Sequence, residues 1–151
     1  MKNQNFEKRL EIVDEYLLRL KLSKDIQNYF KGRSILVTGG AGAIGSNLVM
    51  TLSRLVGLEG KIIILDNLSS IKEKKPWNIP PLNNIIFVNG DVRNDIDLKR
   101  VFIENISIVY HLAAFFANQN SIDYPETSAD VDIIGLIKIL EYSRIAKVEK
   151  F

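Results

Sequence analysis

The 151-residue chain has no cysteine and a single histidine, His111. Without cysteine there is no disulfide framework and no thiolate metal site, and a zinc centre built on one imidazole would need carboxylates for all its other ligands. Metal chemistry is not expected. Charge of one sign is also missing: 20 basic and 18 acidic side chains leave a net charge of +2, so no strong field recruits nucleic acid or an anionic membrane surface. No run approaches the roughly 18 apolar residues of a membrane span, and Met1 to Arg9 holds no continuous apolar region of the kind that marks a secretory signal. These absences predict a soluble, cytoplasmic protein with neither nucleic acid nor a membrane as partner. What is present is 46% hydrophobic residues, enough to bury a core in a chain about one domain long.

Ahead of position 33, Phe6, Leu10, Val13, Leu17 and Leu20 recur at alternating steps of four and three, which places them on one face of a helix. Ser23 followed by Asp25 reads as an N-cap with a favourable first-turn charge, opening a second short helix through Tyr29 and Phe30 that Gly32 ends. The stripe lasts about two heptads, short of the three or four of a coiled coil. Residues 1–32 therefore read as a helical arm that packs on the remainder, not as a free zipper.

From Ser34 short β-rich runs alternate with helical stretches, the mark of parallel strands joined by crossover helices. Strands are expected at 34–37, 61–65 and 85–88, each apolar enough for burial on both faces, and at 106–110. Helices are expected from Ile44 to about Leu58, from Asp95 to Glu104, and from Pro125, a favoured first helical residue, to about Ile145. Val148 to Phe151 looks like the opening of a fifth strand. A buried strand cut at its first residues leaves hydrogen bonds and apolar side chains without partners. The expectation is thus a fragment: residues 33–151 as an α/β domain with a partial Rossmann-type, doubly wound parallel sheet, truncated at the start of that strand. The connection from Asn67 to Asn83 is long and holds Pro76, Pro80, Pro81 and the only tryptophan, Trp77; such connections tend to be functional or mobile. Its Lys72, Lys74 and Lys75 read as a solvated charge run and not as a phosphate site.

Directly after the first strand comes Thr38-Gly39-Gly40-Ala41-Gly42-Ala43-Ile44-Gly45. Glycines at this spacing permit a tight turn, close approach of a pyrophosphate and close helix-to-strand packing, and the helix that follows points its free amides at the phosphates. Glycine-rich turns before helices also serve purely structural ends. Here the turn lies between an expected strand and an expected helix, and Asp66 ends the second strand 21 positions after Gly45, close to the spacing of a carboxylate that hydrogen-bonds an adenosine ribose. A P-loop is excluded because Ser46 stands where its lysine belongs. A carboxylate aimed at the ribose would repel the additional phosphate of NADP, so NAD is the expected cofactor.

With those residues in place, the stretch from about Gly32 to Phe151 resembles the extended short-chain dehydrogenase/reductases, and within them the NAD-dependent nucleotide-sugar epimerases and dehydratases. Four landmarks carry the resemblance in order: the glycine motif, Asp66-Asn67-Leu68-Ser69-Ser70, Gly90-Asp91-Val92-Arg93, and Tyr110-His111-Leu112-Ala113-Ala114. The resemblance implies that Gly39, Gly42, Ala43, Ile44 and Gly45 cradle the diphosphate, that Asp66 and Asn67, with Ser69 beside them, hold the adenosine ribose, that Asp91 and Val92 border the adenine, and that Leu112, Ala113 and Ala114 line the nicotinamide side. Small side chains at 113 and 114 fit that role, since larger ones would keep a cofactor off the strand end. Asp91 also suits a turn cap, and His111 reads as a satisfied side chain at a strand end, for the resemblance gives it no catalytic part. Ser121, in the segment before Pro125, is left unassigned.

There are departures. Where the family shows Asn-x-x-Gly-Thr, this chain has Asp132-Ile133-Ile134-Gly135-Leu136, which keeps only the glycine. The catalytic Tyr-x-x-x-Lys pair is absent: Tyr16, Tyr29, Tyr110, Tyr124 and Tyr142 are followed four positions later by Leu20, Arg33, Ala114, Ser128 and Ala146. No catalytic residue is therefore expected within the chain. In complete relatives the resemblance implies a nucleotide-sugar substrate whose hydroxyl is transiently oxidised, and it leaves room for a homodimer. A non-catalytic nucleotide-sensing module is a competing reading. A carbonyl reductase of the same superfamily is another, set apart mainly by the run Asp66 to Ser70.

Overall fold

The structure is a computed structural model that describes residues 2–70, 78–115 and 118–151; Lys72, Lys74, Lys75, Pro76 and Trp77 lie outside them. The elements run α1 (Lys2–Leu20), α2 (Lys24–Phe30), β1 (Ser34–Thr38), α3 (Ala43–Val56), β2 (Lys61–Asp66), β3 (Ile85–Asn89), α4 (Asp95–Phe102), β4 (Ile108–His111), α5 (Asn118–Asp123), α6 (Pro125–Ala129), a π-helical turn (Asp130–Gly135) and α7 (Leu136–Ile145). The four strands form one parallel sheet in the order β3-β2-β1-β4. β1 is central, pairing Ser34 with Lys61 and Thr38 with Leu65 on one side, and Ile35 with Ile108 and Thr38 with His111 on the other. This is the expected α/β, Rossmann-type arrangement.

Alternation along each strand divides the core into two layers. Ile35, Val37, Ile62, Ile64 and Ile108 face Val49, Leu52 and Val56 of α3, with Tyr29 and Phe30 of α2 packed beside them. Leu36, Ile63, Leu65, Val88 and Val109 face Leu98 and Val101 of α4 and Ile139 of α7. Ile35 to Val37 and Ile62 to Leu65 are fully buried, each such side chain contributing roughly 1.5–3 kcal/mol.

Two helices precede β1 as the sequence predicts. Ser23 Oγ accepts the Ile26 amide at 3.3 Å, capping α2. On α1, Phe6, Leu10, Val13 and Leu17 are half-buried, whereas Leu20 is 46% exposed because the helix ends there and Lys21 turns to φ +47°.

Three expectations need correction. β3 is not buried on both faces: it is an edge strand, and only Val88 of it is buried. β4 begins at Ile108 instead of Ile106, because Asn105 takes φ +51°; Ile106 is buried but unpaired, so its apolar character marks core and not ladder. The segment from Pro125 is no single α-helix, for the π-helical turn interrupts it, and α5 comes before it. The expected opening of a fifth strand is seen as a parallel bridge between Ile108 and Lys150, where the Val109 amide donates to the Lys150 carbonyl at 2.9 Å and the Glu149 amide to the Ser107 carbonyl at 2.9 Å. Beside it Arg33 pairs with Glu149 at 2.7 Å.

No described helix is long and apolar enough to cross a membrane, and among the described residues no cluster of three or more acidic or histidine side chains is placed to hold a metal ion.

Candidate functional site

The carboxyl ends of the four strands bring the four landmarks to one edge of the sheet, the edge at which open α/β sheets take ligands. At its centre, Gly39 has φ +68°, and a Cβ there would lie 2.7 Å from the Ala113 amide nitrogen. Gly45 is equally crowded, since a Cβ would strike the Gly39 carbonyl oxygen and lie 2.7 Å from the Gly40 Cα. Gly42 is different: its Cβ would meet only the Gly39 oxygen, at 3.3 Å. Gly39 and Gly45 thus close the loop onto β4 and α3, while Gly42 leaves the outer side clear. Gly42 is the N-cap of α3 with no side-chain cap, and by helix geometry the amides of Ala43, Ile44 and Gly45 have no carbonyl one turn back. Three donors at a positive helix end, with no cap from a described side chain, suit an anion.

At the end of β2 the Asp66 carboxylate accepts the Ala41 amide at 2.9 Å through one oxygen and the Leu68 amide at 2.8 Å through the other. It thereby ties the glycine loop to the β2 end, and each oxygen keeps a lone pair for a further donor. Asn67 donates to Asp91 at 2.9 Å and accepts the Ser69 amide at 2.9 Å, joining the second and third landmarks. Arg93 grips Asp91 through two nitrogens, at 2.9 and 2.8 Å. That guanidinium, helped by the Arg93 amide and Asn67, holds the Asp91 carboxyl down at about 2, against the opposing effect of burial. Val92 turns its side chain into the core, with Cγ2 2.7 Å from where a Gly135 Cβ would stand. Any contact it makes with a ligand falls to its backbone.

At the end of β1, beside the end of β4, lies a residue that motif reading missed. Thr38 is fully buried, and its hydroxyl oxygen accepts the amides of Leu112 and Ala113, both at 3.1 Å, while standing 2.7 Å from His111 Nδ1. With both lone pairs taken, the hydroxyl proton goes to Nδ1, so neutral His111 carries its own proton on Nε2. Burial pushes the His111 pKa down, partly opposed by Asp132. His111 is thus the satisfied strand-end side chain expected. Leu112 and Ala114 remain exposed, and Ala113 is half-buried. Asp132, in place of the family's asparagine, accepts the Phe115 amide at 2.7 Å and the Ser128 hydroxyl at 3.0 Å, so it anchors the far end of the same loop. The signal for Thr38 was its place between a buried strand and the first glycine. Asn78, also missed, reaches from the long connection to the Ala41 carbonyl at 3.2 Å.

A family model described as GDP-mannose 4,6 dehydratase matches residues 36–151. The chain is 38% identical over 117 residues to a putative UDP-glucose 4-epimerase of Methanocaldococcus jannaschii, a match covering 77% of this chain and 35% of that protein. Its fold is similar to that of an epimerase from Methanothermobacter thermautotrophicus, with a TM-score of 0.74, 49% identity, and coverage of 82% of this chain and 35% of the other. It is also similar to the Thermus thermophilus UDP-glucose 4-epimerase solved in complex with NAD, with a TM-score of 0.60, 32% identity, and coverage of 76% and 35%. The chain therefore spans about a third of the length of these relatives. By the extent of the match it belongs to the GDP-mannose 4,6 dehydratase family, among the NAD-dependent epimerases and dehydratases of the extended short-chain dehydrogenase/reductases.

Proposed function

We propose that this chain is the cofactor-binding portion of an NAD-dependent nucleotide-sugar epimerase or dehydratase. The observation that carries the reading is the asymmetry of the glycine loop: Gly39, Gly40 and Gly45 are closed by packing, and Gly42 alone is open in front of the α3 amides. The NAD-bound relative of similar fold supports the choice of cofactor. In this reading the amides of Ala43, Ile44 and Gly45 take the diphosphate, Asp66 takes the ribose hydroxyls, and Asn67 and Ser69 shape the turn beside them. Asp91 and the Val92 backbone border the adenine, and Leu112 to Ala114 line the nicotinamide end. When bound, NAD supplies reversible hydride transfer at a hydroxyl-bearing carbon of the sugar. Residues 1–32 act as an arm on a domain formed by residues 33–151.

Proton removal from that hydroxyl needs a positioned base, worth typically about 10²–10⁴-fold in rate, and the sequence has no Tyr-x-x-x-Lys to supply one. The chain alone therefore holds cofactor without turning over a nucleotide sugar. Calorimetric titration should find NAD bound at least about tenfold more tightly than NADP, since a carboxylate and a 2′-phosphate repel each other; equal affinity, or tighter NADP binding, removes Asp66 from the ribose. Chromatography of UDP-sugars incubated with the chain and NAD should show no epimer, and reproducible conversion would mean that the base lies among the residues present.

A further inference from the structure

The family match begins at Leu36, so α1 and α2 lie outside it. α1 nevertheless rests against the helix that opens from the glycine loop, and it has two polar anchors there. Asp14 accepts from two nitrogens of Arg54, at 2.9 and 3.1 Å, in the last turn of α3. Arg9 donates to Ser46 Oγ at 3.3 Å and to Asn47 Oδ1 at 3.2 Å, near the first turn. Those two residues in turn donate to the Ala43 carbonyl, Asn47 at 2.8 Å and Ser46 at 3.4 Å. A continuous set of hydrogen bonds thus runs from the α1 guanidinium to the residue that begins α3. The first turn of a helix is the part its own ladder holds least, and here it carries the amides assigned to the diphosphate.

We propose that Arg9 is a positioning residue for the diphosphate end of NAD, an assignment that rests on NAD binding at the glycine loop. By holding Asn47 and Ser46 it keeps the first turn of α3 wound with its amides directed outward, and its charge reinforces a helix end that already favours anions. A packing role for α1 as a whole would affect every ligand alike. Positioning at the diphosphate affects only ligands that carry one.

The test compares the unaltered chain with Arg9→Ala, Arg9→Lys and Asp14→Ala. Affinities for NAD and ADP are measured by calorimetry, affinity for adenosine by saturation-transfer NMR, and folding by a thermal melt. Arg9→Ala should weaken NAD and ADP by about three- to tenfold, the scale of one ordinary hydrogen bond, and leave adenosine within about twofold. Arg9→Lys, which keeps the charge and one donor, should recover most of the loss, and Asp14→Ala should stay within about twofold for all three ligands. Unchanged NAD affinity in a folded Arg9→Ala chain overturns the proposal, as does an equal loss for adenosine or an equal loss in Asp14→Ala. An unaltered chain that binds none of the three overturns the NAD-binding reading itself, and this proposal with it.

Discussion

The two flanks of β1 hold their carboxyl ends by different means. On the β2 flank the work is done by partly exposed charge: Asp66 on two backbone amides, and Arg93 on Asp91 with Asn67 bridging back. On the β4 flank a buried neutral hydroxyl, Thr38, gathers His111 and two amides more than 70 residues away. Charged groups near the surface are screened, and water replaces a lost partner, so each link is worth little. A buried hydroxyl has no such substitute, and its removal strands the groups that relied on it.

The largest effect is expected where both flanks meet. Gly39→Val places a Cβ 2.7 Å from the β4 loop backbone at a φ of +68° and should cost about 3–5 kcal/mol, read as a lower urea midpoint; a loss below about 1 kcal/mol would mean that the flanks move apart freely. Thr38→Val keeps the shape and removes the hydroxyl, leaving the Ala113 amide and His111 Nδ1 without it, and should cost about 2–3 kcal/mol. Thr38→Ser restores the hydroxyl and should recover most of that, so equal destabilisation by both changes would turn the effect into one of packing.

Asp91→Asn, on the charged flank, should cost only about 1 kcal/mol. Because the Asp91 carboxyl is held at about 2 against an ordinary 3.8, its contribution is complete above about pH 4 and is lost as the pH falls from there towards 2. Unfolding free energies of the two proteins, compared by urea titration, should converge over that window and differ at pH 7. A constant difference would detach Asp91 from the charge argument. The smallest stability effect belongs to Gly42→Val, whose backbone needs no left-handed conformation. It should lose at most about 1 kcal/mol while NAD affinity falls at least about tenfold, in line with obstruction of the diphosphate. Unchanged affinity in that folded variant would take the loop out of the site.

What was legible in the sequence follows the same division. The glycine loop, Asp66 and the strand–helix alternation are written in local spacings of a few to about twenty residues, and the structure brings them to one edge. The Thr38 cluster rests on the pairing of β1 with β4, and a threonine beside a glycine motif carries no trace of a partner at 111. The edge position of β3 was hidden for a similar reason, since Ile85 to Val88 is as apolar as an inner strand and only the topology exposes it. Asn78 and Asp132 were obscured by the loops they cross.

The π-helical turn at Asp130–Gly135 has a consequence for how this segment evolves and is engineered. A five-residue ladder step in place of a four-residue one is a phase slip: the faces of α6 and α7 are offset, so a helical wheel drawn from Pro125 to Ile145 mislabels one half. The widened step lets Asp132 turn towards the Phe115 amide while Gly135 backs onto Val92, two directions that neighbours three apart on a regular helix do not share. Removing one residue between 130 and 135 would leave an unbroken α-helix and put those two contacts out of register with each other.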